Sequence, residues 1–182
     1  MPHRFSGSFS RLESEERKKI LPVQRILREM NIRCGDTLLD FGCGIGYFSI
    51  PALEYVGDEG TVIAVDVSEE MLQELHKRAG HRKNLKIVHA DSLPRLTADI
   101  ILLSMVLHEV DNPKEFLQTC FAALKPYGRV MVIDWQKTKT GPMGPPLEDR
   151  LAKEEVIQLT PVKYREHSIN ESVYFLEFIT NE

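Results

Sequence analysis

The sequence lacks what would place it in a membrane, in a disulfide scaffold or on nucleic acid. No apolar run approaches the about 18 residues that a membrane span needs, and the start, MPHRFSGSFSRLESEERKK, carries no signal-like apolar segment. A soluble, cytoplasmic protein is expected. Cysteine is scarce: Cys34, Cys43 and Cys120 are odd in number, far apart and outside any CxxC or Cys/His cluster, so neither disulfides nor a metal site is signalled. Positive charge is in slight deficit, with 23 Lys and Arg against 27 Asp and Glu, a net charge of -4 and a pI near 5.9. That balance disfavours a broad phosphate-binding face, although RKK and RILR near the N-terminus leave room for a local basic patch. Nucleic acid is not the expected partner.

What is present suits one α/β domain over residues 1–182. The chain is 42% hydrophobic and long enough to bury a core without staples. Apolar, β-branched runs recur at TLLDFG (37–42), TVIAVDV (61–67), LKIVHAD (85–91), ADIILLSMV (98–106) and GRVMVIDW (128–135), with longer amphipathic segments between them. Runs this continuous in Leu, Ile and Val predict a parallel sheet covered by helices on both faces.

The intervening helices carry start and stop signals. Ser68 is placed to cap EEMLQELHKRAG, which ends at Gly80. Asn112 and Pro113 start a second helix whose buried stripe is Phe116, Leu117, Cys120, Phe121 and Leu124, closed by Pro126 and Gly128. Residues 1–35 are expected to form a helical cap segment, with helical spacing at Val23, Ile26, Leu27 and Met30 and a break or kink at Pro22. KYREHSI and SVYFLEFIT predict a C-terminal hairpin turning at Asn170 and Glu171. QKTKTGPMGPPLEDR (136–150), rich in Gly and Pro, is a candidate lid loop.

The chemistry centres on LLDFGCGIGYF (38–48). A glycine-rich turn between a first strand and helix lets a ligand approach backbone N–H groups. A dinucleotide site wants GxGxxG, whereas here Gly42, Gly44 and Gly46 are spaced by two. Asp40, at the strand end, would repel a pyrophosphate but could hold an ammonium directly or through water. The small Cys43 between two of the glycines receives no role.

DFGCGIG resembles the first motif of the class I S-adenosylmethionine-dependent methyltransferases, and the resemblance runs through most of the chain. It implies that Asp66, at the end of the second strand, binds the ribose hydroxyls, with Val67 against the adenine. A carboxylate about 20 residues beyond the glycines also fits the general nucleotide-binding pattern. HADSLP resembles the motif in which Asp91, with Ser92 beside it, meets the adenine amino group. The segment ADIILLSMVLHEVDNPKEFLQTCFAALKPYGRVMVIDW looks like the small-molecule branch related to quinone-biosynthesis methyltransferases, where Ser104 presents backbone to the methionine end. The family implies a Rossmann-like, seven-stranded, mostly parallel sheet in the order 3-2-1-4-5-7-6, with strand 7 antiparallel. It also implies S-adenosyl-L-methionine as cofactor, S-adenosyl-L-homocysteine as product and a small-molecule methyl acceptor as partner.

A sulfonium is already an activated methyl donor, so the protein mainly aligns the acceptor and excludes water. Where the acceptor must lose a proton, a base adds about 10²-fold or more. His108 in VLHEV is the candidate catalytic residue, with a pocket-lining or capping histidine as the plain alternative; Glu109 and Asp134 are weaker candidates, expected instead to be solvated or capping groups. Pocket walls are expected from Phe5, Phe9 and Leu12, from the VLHEV corner, and from the 136–150 loop with Trp135 at its root. The competing functions are an NAD-dependent oxidoreductase and a domain that binds S-adenosylmethionine without turnover.

Overall fold

The apolar runs pair edge to edge. In the computed structural model, which describes residues 14–138 and 143–180, seven strands form one sheet: β1 (Thr37–Phe41), β2 (Thr61–Asp66), β3 (Leu85–His89), β4 (Ala98–Ser104), β5 (Leu124–Trp135), β6 (Tyr164–His167) and β7 (Val173–Ile179). Their order is β3-β2-β1-β4-β5-β7-β6. β1 to β5 pair in parallel, and β7 runs antiparallel to both β5 and β6. This is the arrangement that the motif resemblance implies.

Alternation along each strand divides the core between two faces. Leu38, Val62, Ile100 and Ile133 pack with Leu27, Leu53 and Val56 of α2 (Val23–Glu29) and α3 (Ser49–Val56). On that same face Ala64 meets Leu72 and Leu75 of α4 (Glu69–Ala79). Leu39, Ile101, Val132 and Leu176 pack on the other face with Leu117 and Cys120 of α5 (Pro113–Ala122) and Val156 of α6 (Lys153–Gln158). Each such aliphatic side chain, fully buried, contributes about 1.5–3 kcal/mol.

The capping signals operate as expected. Ser68 accepts the Met71 N–H, and Asn112 accepts the Glu115 N–H with Pro113 at the first helical position. Pro22 separates α1 (Glu15–Ile20) from α2. Two boundaries differ from the sequence reading. α5 stops at Ala122, and Leu124 opens β5 instead of completing the helical stripe, while Phe116 and Phe121 are only partly buried. Strand pairing wins here: Ala98 pairs with Leu124 and Ile100 with Arg129, so Pro126 and Gly128 fall in a bulge where Tyr127 takes φ 63°. The hairpin connection spans residues 168–172, wider than Asn170 and Glu171 alone. It is tied to the N-terminal helices in both directions: Arg25 donates to Ser168 and Ile169 O, and the Asn170 side-chain amide donates to Ile20 O.

Among the described residues no helix is long and apolar enough to cross a membrane.

Candidate active site

The carboxyl ends of β1 to β5 share one edge of the sheet, and the glycine loop rises from it after β1. Gly42 and Cys43 donate to Val65 O at 2.8 and 3.0 Å, which folds the loop back over β2. Gly42, Gly44 and Gly46 all have positive φ, at 75°, 53° and 86°. Their flanks differ. A Cβ on Gly42 would collide with Val106 Cγ2 and one on Gly46 with Leu75 Cδ1, but a Cβ on Gly44 would meet nothing within 4 Å. Two glycines serve packing, and the middle one borders open space.

One carboxylate borders this opening and a second lies buried nearby. Asp66 accepts the Gly44 N–H and the Ser68 N–H, both at 2.8 Å, one on each oxygen. A carboxylate offers about four acceptor sites, so about two remain for a ligand's hydroxyls. Asp40 is 2% exposed and accepts the Ser49 hydroxyl at 2.5 Å. Burial raises its carboxyl pKa to about 6 against that hydrogen bond, and the nearby charge of Asp66 adds to the rise.

The remaining predicted residues lie along the same edge. Val67 is half-buried and its carbonyl faces His89 Nε2 at 3.0 Å, while Asp91 and Ser92 are exposed on the bend after β3. Asp66 is in register with His89, which brings the ends of β2 and β3 together. Ser104 is 8% exposed, and its buried Oγ has no hydrogen-bond partner among the described residues. Met105 follows it in the left-handed region, φ 60°. An orphaned buried hydroxyl costs about 1–3 kcal/mol and backbone strain a similar amount; both are supported here by the surrounding sheet. The open flank at Gly44, the spare acceptor sites of Asp66 and the orphaned Ser104 hydroxyl fit a polar ligand with a cationic end.

His108 occupies the short 3₁₀ turn Leu107–Glu109 after β4, with its side chain only 8% exposed. Its Nδ1 lies 2.7 Å from Asp134 Oδ1, and its backbone N–H donates to Asp134 Oδ2 at 3.2 Å. Burial opposes charge on the imidazole, but the hydrogen bond and charge of Asp134, helped by Glu109, outweigh burial and Arg150 and raise the pKa. The expectation of a solvated Asp134 is corrected: it is 1% exposed at the end of β5 and also accepts the Trp135 N–H at 2.8 Å. It does cap a turn, from inside the protein.

The described residues of the 136–150 loop gather around Arg150. This residue is 5% exposed, its guanidinium lies 5.3 Å over the Trp135 ring, and it donates to the carbonyls of Gln136, Thr138, Met143 and Pro145. Phe5, Phe9 and Leu12 lie outside the described residues. Cys43 and Cys120 are buried, and burial pushes both thiols up, Cys120 to about 12, as inert thiols require. No group of three metal-ligating side chains occurs among the described residues.

Sequence reasoning missed Ser49, Asp134 as a partner of His108, and Arg150. Asp134 was detectable as an acid ending the strand beside the one that precedes His108. Ser49 and Arg150 gave no signal, because their partners are a buried acid and backbone carbonyls of a loop.

A model of the methyltransferase domain family matches residues 11–167. The chain belongs to that family. The demethylmenaquinone methyltransferase of Staphylococcus saprophyticus is 29% identical over 142 residues, which cover 74% of this chain and 60% of that protein. The ubiquinone/menaquinone biosynthesis C-methyltransferase of Citrobacter koseri is 29% identical over 133 residues, covering 66% and 53%. The chain thus spans about half to three fifths of the curated relatives it matches. A SAM-dependent methyltransferase from Aquifex aeolicus superposes with a TM-score of 0.84 at 25% identity, covering 93% of this chain and 95% of that one. The plantazolicin methyltransferase BpumL, solved with SAH, shares the fold at a TM-score of 0.70 and 17% identity, covering 98% and 92%. Membership in a methyltransferase family goes against the oxidoreductase alternative.

Proposed function

We propose that the chain, as a single soluble cytoplasmic domain, binds S-adenosyl-L-methionine along the carboxyl edge of the sheet and directs its methyl group to a small-molecule acceptor beside His108. The observation that carries this reading is the opening at Gly44, bordered by the Asp66 carboxylate, with Asp40 buried nearby and the Ser104 hydroxyl at the end of β4 left without a partner among the described residues. Two carboxylates repel a pyrophosphate and attract an ammonium and a sulfonium. In this arrangement Gly42, Gly44 and Gly46 back the methionine end, with Asp40 toward its ammonium and Ser104 opposite. Asp66 takes the ribose hydroxyls, Val67 lies against the adenine, and Asp91 with Ser92 meets its amino edge.

The bound cofactor supplies an electrophilic methyl carbon that needs no further activation. The protein's tasks are to hold the acceptor atom in line, to exclude water and to receive a proton, and His108 is the catalytic residue for the last of these. Relatives named for demethylmenaquinone make the reduced quinone of that type the first acceptor to test. Incubation with methyl-labelled cofactor and demethylmenaquinol should yield labelled product and S-adenosyl-L-homocysteine. Homocysteine-product binding without methyl transfer to this or any small acceptor would favour the binding-only alternative.

A further inference from the structure

We propose that Asp134 is a positioning residue that holds His108 with its proton on Nδ1, so that Nε2 offers a lone pair to a proton on the methyl acceptor. The inference rests on the proposed methyl transfer and concerns the acceptor side of the same site.

Three nitrogens converge on Asp134: His108 Nδ1 and the Trp135 N–H on Oδ1, and the His108 backbone N–H on Oδ2. Backbone N–H groups can only donate, so both oxygens accept from the backbone, and a proton on the ring nitrogen 2.7 Å from Oδ1 is the arrangement that lets the carboxylate accept all three bonds. Nε2 is then the basic nitrogen. The backbone bonds also fix the carboxylate from two sides, and the ring is held in turn by the carboxylate. Both side chains are nearly sealed from solvent, at 8% and 2% exposure, so the interaction is little screened.

Among the described residues, three charged or titratable groups face the pair. Glu109 Oε1 lies 3.9 Å from Nε2 on the same turn, Arg150 approaches from the loop side, and Tyr174 of β7 is in register with Asp134. When the acceptor atom bonds to the methyl carbon, the carbon–sulfur bond breaks with its electrons left on sulfur. The acceptor's proton passes to Nε2. The resulting imidazolium faces the Asp134 carboxylate, which stabilises it, and its proton is released to solvent after product leaves.

A cap that only fixed the turn would need the backbone bonds and not the ring, and the test exploits that difference. Ring nitrogens of ¹⁵N-histidine-labelled full-length protein are followed by NMR with S-adenosyl-L-homocysteine bound, and turnover is measured on demethylmenaquinol and catechol as protic probes. In the wild type His108 should be the Nδ1–H tautomer when neutral. Asp134→Asn should move its midpoint to lower pH, shift the acid limb of turnover the same way, and reduce plateau turnover by about tenfold or more. Its affinity for the homocysteine product should stay within about twofold, because the cofactor contacts lie elsewhere. Asp134→Glu should restore part of the turnover. An Nε2–H tautomer in the wild type overturns the inference, and that result is read even if the Asn variant does not fold. An unmoved midpoint or acid limb in a folded variant also overturns it, as does a wild type that binds the homocysteine product yet methylates neither probe. A wild type that fails to bind that product overturns the methyltransferase reading instead.

Discussion

Asp40 is an acid placed where burial favours the neutral form. Its folded-state pKa of about 6 lies above the usual 3.8, so the native protein binds more protons than the unfolded chain between those values. Stability therefore falls as pH rises through that window and stays reduced above it. Asp40→Asn, which keeps an acceptor for Ser49, should raise the melting temperature at about pH 7.5 by about 2–4 °C for each kcal/mol recovered. The gain should shrink as the pH is lowered to about 4, and a scan at both pH values checks it. A carboxylate that destabilises the free protein is expected where a cationic ligand group is to be met.

At the scale of elements, Arg150 gathers the described part of the loop after β5. Arg150 satisfies four carbonyls and stacks on Trp135, and Gly144 is tight against both, since a Cβ there would lie 2.9 Å from each. Arg150→Ala should cost about 2–4 kcal/mol in denaturant unfolding by leaving those carbonyls unpaired, and should raise the acceptor KM more than it weakens cofactor binding. Equal loss in both would place the loop over the cofactor instead. The regular elements were legible because their signals are local: continuous Leu/Ile/Val runs for β1, β2 and β4, Ser68 and Asn112 as caps, and Pro22 as a break. The glycine turn was legible for the same reason, while the place of Asp66 at the end of β2 came with the motif resemblance. The Leu124 boundary was not, because pairing with Ala98 overrides helical periodicity. The roles of Asp134, Ser49 and Arg150 were hidden because each is defined by a partner distant in the chain.

Across the whole molecule, the C-terminal hairpin is tied to the sheet and the cap by Glu177. This 2% exposed acid meets Arg129 at 3.0 Å, His167 at 2.9 Å and Arg165 at 3.2 Å, while Arg129 also reaches the carbonyls of Met30 and Asn31. Burial would raise its pKa, but the bonds from His167 and Arg129 and their charges overcome this and lower it below 4.5. Its stabilisation is therefore present at neutral pH and lost as acid protonates it below that value. Glu177→Gln should lower stability by about 3 kcal/mol at neutral pH and make the acid limb of the stability profile shallower; an unchanged limb would remove Glu177 from the acid response.

What the carboxyl edge of the sheet binds decides the function. Isothermal titration of the protein with S-adenosyl-L-homocysteine and, separately, with NADH tests this directly. Micromolar binding of the first and none of the second is expected, with the affinity lowered by about tenfold or more in folded Asp66→Ala and Gly44→Val variants. Binding of NADH alone, or wild-type affinity in both variants, would contradict it.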